Sequence, residues 1–143
     1  MMYAERKIIV ALDVSSEKEA LELADELAGH VGIFKIGLEL IHSVGLDIVS
    51  KVAQRGPVFL DCKLHDIPNT VKKAAQAISA RIRTGMFNVH ATGGSRMMKA
   101  AMEGARSIDP TVRPLVLGVT LLTSLEQIDP VRVVSSPRLL SVA

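Results

Sequence analysis

Apolar runs alternate with amphipathic stretches along most of this 143-residue chain, and the alternation leaves few folds open to it. Residues 7–13 (KIIVALD), 32–37 (GIFKIG), 57–63 (PVFLDCK), 86–91 (MFNVHA) and 113–120 (RPLVLGVT) read as strands. Between them, residues 16–29, 38–55, 68–83 and 94–106 read as helices, the second with a break near Gly45, and Ser124 is positioned to begin another over 124–128. Ser16 with Glu19 three residues on is an N-terminal capping pattern, and Gly29 is a C-terminal stop. Strands that are apolar almost throughout, each followed by a helix, predict a parallel sheet covered by helices.

Two α/β architectures satisfy that pattern, a TIM (β/α)8 barrel and an open doubly wound sheet. No Gly-x-Gly-x-x-Gly follows the first strand, which counts against dinucleotide binding. Polar residues instead recur at the C-terminal ends of successive strands: Asp13, Lys35, Asp61 with Lys63, Asn88 with His90, and Thr120. A barrel carries its active site at that end. The complete barrel needs eight strands and roughly 200 residues or more, so the expectation is a barrel of which only about the first five βα units are present.

The densest chemistry lies in Phe59-Leu60-Asp61-Cys62-Lys63-Leu64-His65-Asp66-Ile67-Pro68-Asn69-Thr70. Strand alternation points Asp61 and Lys63 to one face and Cys62 to the other. Desolvating such charges is costly, so crowding them at a strand end suggests electrostatic chemistry. Asp13, Lys35, Asp61, Lys63 and Asp66 are expected to converge on one mouth, where opposite charges keep each other ionised. A cationic, positioned Lys63 is a proton donor and stabilises negative charge developing beside it. The plain alternative is an ion-pair network that only seals the end of the sheet. His90 is expected to be a hydrogen-bonded packing residue, and Gly93-Gly94 a tight strand-to-helix turn rather than an anion site. Thr123 and Ser124 offer hydrogen bonds from the loop after the fifth strand, or Ser124 caps a helix.

Composition adds exclusions. A net charge of +2 with dispersed basic residues gives no reason to expect nucleic-acid binding. One cysteine permits neither an internal disulfide nor a cysteine-based metal site. The N-terminus has no signal-peptide pattern and no stretch long enough to span a membrane, so a cytoplasmic location is expected. With aromatics at only 3%, the core must be aliphatic.

The run Asp61-x-Lys63-x-x-Asp66-Ile67-Pro68-Asn69-Thr70 closely resembles the signature of the orotidine 5'-phosphate decarboxylase family. Ala11-Leu12-Asp13, Phe34-Lys35-Ile36-Gly37, Asn88-Val89-His90-Ala91 and Val119-Thr120-Leu121-Leu122-Thr123-Ser124 extend the resemblance, which runs from about residue 8 to about residue 128. It implies a TIM barrel that dimerises and converts orotidine 5'-phosphate to UMP, in pyrimidine biosynthesis, with neither metal nor organic cofactor. Lys63 would be the proton donor and Asp61 would face the departing carboxylate, by ground-state repulsion or by preorganising Lys63. Lys35 and Asp13 would hold the ribose and the charge network. Asp66, Ile67 and Thr70, with Pro68 and Asn69 beside them, would reach the neighbouring subunit's substrate, and Thr123 would contact the pyrimidine.

A related group in the same suprafamily, the Mg2+-dependent sugar-phosphate decarboxylases and aldolases, shares Asp-x-Lys-x-x-Asp but carries an acidic residue where this chain has Lys35. The family's phosphate-binding units lie late in its barrel, beyond residue 143, and the stretch from Pro130 does not resemble it. The 81–85 connection is also altered. The expectation is one partial barrel domain, family-like over 8–128 with a divergent tail over 129–143, C-terminally truncated. A catalytically inactive fragment is the competing expectation, since open sheet edges invite aggregation and remote phosphate contacts supply binding energy used at the reacting centre.

Overall fold

The computed structural model describes residues 5–82 and 85–125. Five parallel strands, β1 (Ile9–Ala11), β2 (Ile33–Ile36), β3 (Val58–Leu64), β4 (Met86–His90) and β5 (Leu115–Val119), pair in sequence order. Helices α1 (Glu17–Leu27), α2 (Leu38–Val44), α3 (Asp47–Val52), α4 (Pro68–Ile82) and α5 (Gly94–Ala105) alternate with them. The order β1-β2-β3-β4-β5, without a reversal, is the barrel-type succession rather than the doubly wound one.

Local chemistry accounts for the helix ends. Ser16 Oγ accepts from the Glu19 backbone N–H at 3.1 Å and caps α1. Gly45, at φ 87°, separates α2 from α3 where a side chain would be strained. Gly94, at φ 83°, turns the chain from β4 into α5, so the two glycines there form a turn. Of the candidate helix over 124–128 only Ser124, in a turn, and Leu125 are described; residues 126–128 and the tail from Pro130 lie outside the described residues, as do Arg83 and Thr84 in the altered connection.

The core sits between the sheet and its helices. Phe34, Ile36, Val58, Leu60, Phe87 and Val89 point from the strands into that layer, where Leu40, Ile48, Val52, Val71, Ile82 and Met97 meet them. Where α4 and α5 touch, Gly104 lets the backbones approach; a Cβ there would run into Lys72 O and the Ala75 methyl. Surface ion pairs tie helices to their neighbours: Lys51 to Glu17 at 2.6 Å, Arg55 in the turn after α3 to Asp25 through two bonds of 2.8 and 3.0 Å, and Lys72 to Glu103 at 2.9 Å. Exposed pairs of this kind add little compared with the core.

The opposite face of the sheet is open at its margins. Ile9 on β1 is 46% exposed and Leu115 on β5 is 62% exposed, while Ile33, Phe59 and Met86 between them are half-buried. Among the described residues, β1 and β5 each have one strand neighbour, so both edges are unpaired.

Because Phe87 is fully buried between sheet and helices, Phe87→Ala is predicted to lower the unfolding free energy by about 3–5 kcal/mol in urea denaturation. Ile67→Ala, at a 66% exposed position, is predicted to change it by less than about 0.5 kcal/mol.

Candidate active site

Parallel strands bring the polar strand ends together along one rim. The second residue after β1 and the third residue of β2 supply the first pair: Lys35 Nζ donates to Asp13 Oδ1 at 2.9 Å. The end of β3 supplies the second, in which Lys63 Nζ donates to Asp61 Oδ1 at 2.6 Å. Asn88, from the middle of β4, completes the arrangement. Its Nδ2 donates to the same Asp61 oxygen at 2.6 Å, and its Oδ1 accepts from the Lys63 backbone N–H at 2.7 Å.

Burial separates the two pairs. The Asp61 side chain is 16% exposed and that of Lys63 29%, whereas Asp13 is 60% exposed. Burial alone would push the Asp61 carboxyl up. The hydrogen bonds from Lys63 and Asn88, with the positive charges of Lys63 and Lys35, more than offset it and hold the carboxyl below its ordinary value. Lys35 thus acts on Asp61 through its field, which makes the two pairs one electrostatic unit.

The opposite side of β3 is inert. Cys62 packs against the core, burial pushes its thiol up, and Sγ donates to the Asn88 carbonyl at 3.6 Å. His90 is half-buried beside His65, with ring centroids 5.4 Å apart. Burial holds its imidazole below the ordinary value, and the charges of His65 and Lys63 add to this. His90 therefore packs as expected, but against a second histidine and without the expected hydrogen bond among the described residues.

Of the five charged residues expected at the mouth, four form the network and Asp66 does not. Asp66 is exposed and its Oδ1 accepts from the Ile67 N–H at 2.6 Å, a local turn bond. Ile67, Pro68, Asn69 and Thr70 are likewise exposed where α4 begins. Thr123 is exposed in a turn closed by the Leu125 N–H on Leu122 O at 3.1 Å, and takes no part in the network. Asn88 is the residue whose importance sequence reasoning underrated. Its signal was a polar amide between Phe87 and Val89 in a strand, an environment where asparagine is disfavoured.

The fold and the rim define an α/β barrel-type protein with a lysine–aspartate site at the C-terminal ends of its strands. The chain belongs to the orotidine 5'-phosphate decarboxylase / HUMPS family, whose sequence model matches residues 6–135. It is 48% identical over 130 residues to an orotidine 5'-phosphate decarboxylase from Syntrophomonas wolfei, covering 88% of this chain and 54% of that protein. A Heliobacterium modesticaldum protein of the same name is 45% identical, with 88% and 53% covered. Among solved structures, the Lactobacillus acidophilus orotidine 5'-phosphate decarboxylase superposes with a TM-score of 0.75 at 36% identity, covering 90% of this chain and 58% of that one. The chain spans about half the length of the curated relatives it matches.

Asp61 has a lowered carboxyl pKa in the folded state, so its stabilisation is complete above the ordinary value and is lost as pH falls through the folded one. Asp61→Asn is predicted to flatten the acid limb of the stability curve below about pH 4. Lys63→Met is predicted to raise the Asp61 carboxyl pKa, as read by 13C NMR titration.

Proposed function

We propose that this chain carries the decarboxylating half of an orotidine 5'-phosphate decarboxylase site, converting orotidine 5'-phosphate to UMP in pyrimidine biosynthesis. The observation that carries the reading is the Asp61–Lys63 pair: a largely buried carboxylate kept ionised 2.6 Å from a lysine ammonium. In the proposed step the bond between the pyrimidine ring and its carboxylate breaks and CO2 leaves. The electron pair stays on the ring carbon, and a proton from Lys63 Nζ neutralises it; solvent then reprotonates the lysine. Asp61 faces the departing carboxylate, and its charge both repels that group and keeps Lys63 oriented.

Lys35 and Asp13, paired 2.9 Å apart on the rim, are the proposed ribose contacts. Thr123 is the proposed contact to the pyrimidine. Asp66, Ile67, Pro68, Asn69 and Thr70 are proposed to serve the substrate of a second subunit in a homodimer. An apolar Ile67 standing 66% exposed beside the site supports a partner-facing role for that turn. The step draws its proton and its charge from side chains, which supports a reaction without metal or organic cofactor. A cytoplasmic location is part of the proposal; among the described residues no helix is long and apolar enough to cross a membrane.

A Mg2+-dependent sugar-phosphate reaction is the weaker reading, because the end of β2 carries the Lys35 ammonium where that chemistry needs a carboxylate.

The test follows the loss of orotidine 5'-phosphate absorbance with and without EDTA. Turnover that resists EDTA and falls by about 10²–10⁴ in Lys63→Ala supports the proposal, that being the usual worth of a positioned proton donor. Turnover abolished by EDTA, or equal in wild type and Lys63→Ala, contradicts it.

A further inference from the structure

The β3–β4 ladder is regular up to Leu60 opposite Phe87 and resumes at Leu64 opposite Val89. Three residues, Asp61, Cys62 and Lys63, therefore face the single residue Asn88. Within this bulge Lys63 adopts φ 46°, the left-handed region, and it is the only non-glycine residue described there. Lysine has no side-chain means of favouring that conformation, so the surroundings must impose it. A bulge re-aims side chains, which accounts for Lys63 Nζ meeting Asp61 Oδ1 although the strand is no longer pleated regularly between them.

We propose that Asn88 is the positioning residue that imposes this bulge and so aims Lys63 and Asp61 at a common point. Its amide acts as a substitute rung of the sheet. Oδ1 takes the Lys63 N–H at 2.7 Å, which the interrupted ladder leaves without a strand partner, and Nδ2 clamps the Asp61 carboxylate at 2.6 Å. The Asn88 carbonyl meanwhile receives Cys62 Sγ at 3.6 Å, so one residue of β4 engages all three residues of the bulge. At 3% exposure the amide is shielded from water, and both of its polar ends are used. A leucine of similar volume would leave a shielded N–H and a carboxylate oxygen short of partners. The geometric claim stands on β3 and β4 alone; its consequence for proton transfer rests on the decarboxylase reading.

The test is amide hydrogen exchange with carboxyl titration on the full 143-residue chain, comparing wild type, Asn88→Ala and Asn88→Asp. In Asn88→Ala the Lys63 amide is expected to exchange about tenfold faster or more, the worth of one lost hydrogen bond. The Leu12 and Phe34 amides, held by Lys35 O at 2.9 Å and Pro57 O at 3.0 Å, are expected to stay as in wild type. Asn88→Asp keeps the acceptor and removes the donor. Lys63 protection is expected to survive there, while the Asp61 carboxyl titrates at higher pH because a second carboxyl abuts it. An unchanged Lys63 amide in Asn88→Ala overturns the inference. So does loss of Leu12 and Phe34 protection in both variants, which would make Asn88 a general support of the sheet. A wild-type chain that gives the expected exchange pattern but does not decarboxylate orotidine 5'-phosphate upholds this inference and contradicts the reaction; turnover without the pattern does the reverse.

Discussion

One carboxylate oxygen, Asp61 Oδ1, organises the functional end of this chain. It receives a lysine ammonium and an asparagine amide at 2.6 Å each. Burial there opposes the charge, and the two donors with the nearby lysine fields outweigh it. Removing either donor would leave a largely buried carboxylate partly uncompensated, which costs more than the donor's own bond is worth. The strength of the arrangement comes from its being enclosed. Asp13, close to solvent, and its partner Lys35 extend it rather than anchor it.

The sheet gives that oxygen its fixed position. Residues on β2, β3 and β4 that face the helices are almost all fully buried, so the strands carrying Lys35, Asp61, Lys63 and Asn88 cannot shift independently. The other face lacks such cover at its margins, where Ile9 and Leu115 are exposed on strands that have one neighbour each among the described residues. Asp61, Lys63 and Asn88 thus lie in the best-supported part of the sheet, away from the two edge strands.

Much of this was legible beforehand, for reasons tied to particular residues. The run of five strands was readable because each, such as residues 32–37, is apolar on the covered face and bounded by glycine, proline or charge. The break at Gly45 was readable because only glycine relieves its backbone conformation. Asp61 and Lys63 announced themselves as charges at a strand end. Alternation correctly separated them from Cys62, but it did not foretell the left-handed turn at Lys63, because nothing in a lysine's identity encodes a bulge imposed by the next strand. Asn88 was visible as a polar residue between Phe87 and Val89 in a strand, yet its partners come from 25 and 27 residues away, beyond the reach of local pattern. Asp66 shows the converse limit: its spacing from Lys63 suggested membership of the network, whereas its carboxylate bonds the neighbouring Ile67 N–H.

In the proposed chemistry a lysine delivers a proton to the carbon that loses CO2. The most direct measurement is incubation with orotidine 5'-phosphate labelled with 13C in its carboxylate, in deuterated buffer, followed by mass analysis of the gas and the nucleotide. The account predicts 13CO2 and, in equal amount, UMP with one deuterium on the carbon that lost the carboxylate. Release of 13CO2 no greater than that from Lys63→Ala would contradict it.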